Sequence, residues 1–185
     1  MSLFILALLL TSCLDLEVST VFKTSTTGTI EINALAYRMA QGIQVVDGAD
    51  RVPFPSSQAG WIGIVGQVPG ASLVSYTGAD EDLGYRSKTV LAFATARALE
   101  GLFVVFKQKV TLLQDTQGKW TVTFVPQVPR VTAADPATRK LWTDLWGNVE
   151  WKFGFTPPGQ PRVDRTVTLA DLAGSRQPLP WTLSW

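Results

Sequence analysis

Histidine is absent from the 185-residue chain, and cysteine occurs once. The first absence removes the commonest general base, the commonest metal ligand and every histidine-based catalytic triad. The second excludes an internal disulfide and any multi-cysteine zinc or iron–sulfur centre. Charge is scarce and balanced, with 16 Lys+Arg against 15 Asp+Glu and charged residues at 17%. A net charge of +1 creates no strong field toward nucleic acid or an acidic surface. The apolar run Leu3 to Leu10 is only eight residues long, too short to span a bilayer as a helix. Gly-x-Gly-x-x-Gly, the P-loop pattern, Gly-x-Ser-x-Gly and Ser-x-x-Lys are all missing, which leaves nucleotide binding and activated-serine chemistry without support. No cofactor is implied.

What is present is apolar and aromatic. Hydrophobic residues make up 46% of the chain, enough for a sizeable core in one domain, and there are seven Trp and nine Phe. Leu14 to Phe22 alternates with period two, Leu14, Leu16 and Val18 on one side and Asp15, Glu17 and Ser19 on the other. A turn at Thr24–Gly28 and a second strand, Thr29 to Tyr37, complete a hairpin. Ser56 or Ser57 caps a helix expected to run to about Val68, in which Gly60, Gly63 and Gly66 each cost up to about 1 kcal/mol of helix propensity. Strands are expected at Ala71–Tyr76 and Tyr85–Phe93, separated by a solvated acidic turn at Ala79–Asp82. A short helix at Thr95–Leu102 precedes a hairpin formed by Phe103–Leu113 and Lys119–Val125. Asp135-Pro136 opens the best-capped helix, which Gly147 stops. Val149–Phe155, Arg165–Leu169 and Pro180–Trp185 read as further strands. Strands outnumber helices and their links are short, so the expected fold class is α+β: an antiparallel sheet of hairpins with two or three packed helices.

The N-terminus carries a resemblance. Leu10-Thr11-Ser12-Cys13, following the apolar run, resembles a bacterial lipobox. The resemblance implies a signal peptide over residues 1–12 and a single lipid-anchored domain over 13–185, with Cys13 acylated. Two or more acyl chains, at about 0.8 kcal/mol per buried methylene, hold a protein on a bilayer almost permanently. Leu14 stands where an Asp would resemble an inner-membrane retention signal, which favours an outer membrane; the expected location is the outer membrane or periplasmic face rather than the cytoplasm. No linker separates Cys13 from the first strand, so the domain is expected to sit close to the bilayer.

The element order, with Cys13-Leu14 opening a strand, Gly28 at the first turn and Val68-Pro69-Gly70-Ala71-Ser72-Leu73 entering the next strand, resembles the LppM-like lipoprotein domain from Cys13 to Val125. That resemblance implies a membrane-anchored α+β domain that handles lipid, and it brings no catalytic residue with it.

Carboxylate pairs offer little chemistry: Asp47 and Asp50, and Asp80-Glu81-Asp82, read as solvated turns without the apolar surroundings that raise a pKa. The aromatic residues are the better candidates. Trp142 and Trp146 lie four apart on the Asp135 helix, and Trp151, Phe153 and Phe155 alternate on one strand face. Together they form either a wall for a hydrophobic ligand or ordinary core. The expected function is accordingly a non-catalytic envelope lipoprotein binding lipid or another hydrophobic ligand. The alternative is a structural lipoprotein that binds another envelope protein.

Overall fold

A computed structural model describes residues 14–37, 55, 57–82, 84–106, 108–125, 150–168 and 180–185. The Asp135–Gly147 helix with Trp142 and Trp146, and the lipobox with Cys13, lie outside the described residues. Nine strands and two helices occupy the remainder: β1 Leu14–Phe22, β2 Gly28–Tyr37, α1 Gln58–Val65, β3 Ala71–Glu81, β4 Gly84–Phe93, α2 Ala96–Val105, β5 Lys109–Gln114, β6 Trp120–Val125, β7 Glu150–Thr156, β8 Val163–Thr168 and β9 Trp181–Ser184. The class is α+β. A six-stranded sheet in the order β3-β4-β2-β1-β7-β8 faces a three-stranded sheet in the order β5-β6-β9. Every pairing is antiparallel except that of β7 with β1, which is parallel.

The period-two pattern in β1 decides which side faces inward. Leu16, Val18, Thr20 and Phe22 are buried, and the intervening Asp15, Glu17 and Ser19 are only partly covered. The same alternation buries Ile30, Ile32 and Ala34 of β2 and Thr89, Leu91 and Phe93 of β4. Onto this inner face pack Trp61 and Val65 of α1, Leu99, Leu102 and Phe103 of α2, and Val122 and Phe124 of β6. Burying one such side chain contributes about 1.5–3 kcal/mol, so this single cluster supplies most of the driving force for folding.

Both helices are capped from their own sequence. Ser57 Oγ accepts from the Gly60 amide at 3.2 Å, and Thr95 Oγ1 accepts from the Ala98 amide at 3.0 Å. Two sequence expectations shift. The strand expected from Phe103 begins only at Lys109, because Leu99, Leu102, Phe103 and Phe106 recur at helical spacing and bury that face, carrying α2 on to Val105. The turn expected at Ala79–Asp82 is mostly strand: Ala79, Asp80 and Glu81 pair with Arg86, Tyr85 and Gly84, and Arg86 donates to Glu81 at 2.7 Å. Cross-strand pairing satisfies the backbone of this acidic stretch, which its composition alone assigns to solvent.

Gly28 closes the first hairpin at a close approach. A Cβ there would run into the Val21 carbonyl oxygen and come within 2.8 Å of the Phe93 ring. Gly63 on α1 meets nothing within 4 Å. Gly28→Ala is therefore expected to destabilise the protein by about 1–3 kcal/mol. Gly63→Ala is expected to stabilise it by up to about 1 kcal/mol. Denaturant midpoints at constant slope check both signs.

Candidate functional site

The parallel pairing with β1 sets Trp151, Phe153 and Phe155 beside Leu16, Val18 and Thr20. All three rings point inward, at 6%, 1% and 1% exposure. They belong together on one face, as the alternation implies, and that face meets the small sheet. Phe153 lies 4.5 Å from Phe124 of β6, and Phe155 lies 5.3 Å from Trp181 of β9 and 6.1 Å from Phe103 of α2. At the far end Phe22 of β1 sits 4.9 Å from Trp185. These edge-on, tilted and stacked arrangements are the favourable geometries for aromatic quadrupoles, each worth about 0.5–1.5 kcal/mol beyond area burial. The seam between the two sheets is thus a file of rings drawn from β1, β6, β7, α2 and the residues of β9.

Two polar atoms inside this seam have no partner among the described residues. Thr20 is fully buried with its hydroxyl unpaired, and the indole nitrogen of Trp185 is buried and unpaired as well. Sequence reading passed over Thr20, although the alternation of β1 already puts it on the side of Leu16 and Val18.

The outer face of the large sheet carries the charge. Arg162 donates to Glu17 at 2.7 Å and to Asp164 at 2.6 Å, crossing above Gly154, where a Cβ would come within 2.5 Å of the guanidinium nitrogen. Lys88 pairs with Glu31 at 2.9 Å, and Lys152 with Glu150 at 3.1 Å. The hydrogen bond from Lys88 is the main reason that Glu31 sits below the ordinary carboxylate range, with the bond from Asn33 adding to it. These pairs are half exposed and individually contribute about 0–1 kcal/mol. A polar hollow of about 340 Å³ lies among them, lined by Asp15, Glu17, Asn33, Leu35, Arg86 and Lys152, among others. Among the described residues no group of three or more His, Cys, Asp or Glu is arranged to hold a metal ion.

At the β3 edge the hydroxyls of Tyr76 and Tyr85 are 2.8 Å apart, with Gly78 leaving room for both. Burial, then the hydrogen bond to Tyr85, pushes the Tyr76 phenol above the ordinary tyrosine range. A raised folded-state value means that the folded chain keeps its proton after the unfolded chain has lost its own. The associated stability is therefore full below about pH 10 and declines as the pH rises beyond it. Denaturant midpoints at pH 8, 10 and 11 are expected to fall more steeply for the parent protein than for Tyr76→Phe. In the seam, Phe155→Ala is expected to cost about 3–5 kcal/mol, since the rings of Phe103, Phe124 and Trp181 would border the void.

No family model and no curated protein matches the chain. Among solved structures, the chain is similar to the folded domain of LppM from Mycobacterium tuberculosis, determined by NMR. The sequences are 15% identical, the match covers 93% of this chain and 87% of that one, and the TM-score is 0.48.

Proposed function

We propose that the protein is a non-catalytic cell-envelope lipoprotein, anchored through acylated Cys13, that takes the apolar part of a lipid into the seam between its two sheets. The observation that carries this reading is the make-up of the seam. Strand pairing stays within each sheet, so ring contacts rather than backbone ladders hold the sheets together there. A methylene chain can replace ring–ring dispersion at little cost, whereas nothing apolar can replace a broken backbone ladder. Each methylene so buried contributes about 0.8 kcal/mol. β1, one wall of the seam, begins at Leu14, directly after Cys13. A lipid leaving the bilayer therefore has only a short path to the wall.

Among the described residues no helix is long and apolar enough to cross a membrane. The anchor falls to Cys13, on the strength of the Leu10-Thr11-Ser12-Cys13 motif. A second reading, an interaction lipoprotein that binds another envelope protein, is favoured by one feature. Val104 of α2 and Leu113 of β5 are 67% and 63% exposed, on two elements joined by the hydrogen bond from the Leu112 amide to Glu100.

Two measurements test the proposal. Mass spectrometry of the protein from its native membrane is expected to find an acylated Cys13 as the mature N-terminus, and Cys13→Ser to leave the precursor uncleaved. Met1 retained with an unmodified Cys13 overturns the anchor. Tryptophan emission is expected to be quenched by a phospholipid brominated along its acyl chain, because Trp181, Trp185 and Trp151 border or line the seam. Unquenched emission, together with capture of a protein partner that Val104→Ser abolishes, turns the assignment to the interaction reading.

A further inference from the structure

We infer that the corner of the seam between Thr20 and Trp185 receives the uncharged polar group of an amphiphile, so that the ligand class is acyl esters and alcohols rather than fatty-acid or phosphate anions. The inference rests on the seam reading above and names the chemistry of its ligand.

Thr20 pairs across β1–β7 with Phe155, whose ring meets Trp181. Phe22, next on the same face of β1, meets Trp185. Thr20 and the Trp185 ring are thus linked through Phe22 at one end of the seam, and each carries a buried polar atom unpaired among the described residues. A buried polar atom without a partner is rare in folded proteins, and two on neighbouring residues at one end of the seam mark a place where something else completes the bonds. The two atoms specify what that is. The indole nitrogen can only donate, and the hydroxyl can donate or accept, so the matching group needs an oxygen acceptor and is improved by a hydroxyl.

The surroundings specify its charge. Among the described residues, those paired or in ring contact there are Phe22, Ile30, Phe155 and Trp181, none of them charged. The flanking cations are Lys23, next to Phe22, and Lys119, next to the Trp120 that pairs with Trp185; both are exposed to solvent, and Lys152 of β7 lies on the opposite side of the sheet with Glu17. A carboxylate or phosphate placed here would be a buried ion without a counter-charge, whereas an ester carbonyl or an alcohol carries no such penalty. The inference places entry at β9, which is only four residues long and, among the described residues, is the edge strand of the small sheet. Thr89 is also fully buried and unpaired, but it lies on β4, beyond β2 from the corner, and supplies a control.

Calorimetric titration of the purified protein with 1-monodecanoylglycerol, decanol and decanoate, all at pH 8, tests the assignment. The ester and the alcohol are expected to bind and decanoate to bind at least tenfold more weakly. Thr20→Val keeps the side-chain shape and removes the unpaired hydroxyl. It is expected to leave the denaturant midpoint unchanged or higher while weakening the ester about fivefold to tenfold, the worth of one neutral hydrogen bond. Trp185→Phe keeps an aromatic ring without the N–H and is expected to weaken the ester similarly, whereas Thr89→Val is expected to bind as the parent does. Parent-like affinity in both Thr20→Val and Trp185→Phe, or decanoate bound as tightly as the ester, overturns this inference and leaves the seam reading standing. Failure of the parent protein to bind any of the three overturns both.

Discussion

The parallel pairing of β7 with β1 is the constraint on which the rest of the structure depends. It joins Val18 to Phe153 and Thr20 to Phe155, residues far apart in the chain. Without it, three aromatic side chains would have no inner face to occupy, and the small sheet would lose the surface against which it packs. Closing so long a connection costs conformational entropy that grows only slowly with its length. The compensation is burial of Trp151, Phe153 and Phe155 against rings from α2, β6 and β9.

That pairing also separates the two kinds of surface. Apolar side chains turn toward the small sheet, and the ionic pairs are confined to the outer face, where Arg162 reaches from beside β8 across Gly154 to Glu17 on β1. The outer pairs set register and solubility more than stability, because water screens them. The inner layer does the reverse, and its few polar atoms matter accordingly. Thr20 and Trp185 stand out because their side-chain polar atoms find no partner among the described residues.

The proposed task, transfer of apolar groups between a bilayer and a protein interior, draws on a seam made of rings and on a wall strand that begins beside the proposed anchor. It needs a membrane tether, an apolar interior and an edge that can part, and β9 is a short edge strand of the small sheet.

Much of the local structure was legible in the sequence. Period-two alternation marked β1 and put Trp151, Phe153 and Phe155 of β7 on one face, because strand geometry sends successive side chains to opposite faces wherever the strand lies. Ser56 or Ser57 announced α1 because a cap is a local hydrogen bond, and the structure gives that bond to Ser57. Errors came where one residue type serves two periods: Phe103 continues a helix although its run of apolar neighbours reads equally well as strand. What only the tertiary structure decided was partnership. Alternation assigns Thr20 to the inside but cannot say that its hydroxyl stays unpaired. Nor can it say that β7 lies parallel to β1, or that Trp185 comes down upon Phe22. Those facts depend on contacts between residues distant in the chain, and a pattern of neighbours carries no record of distant ones.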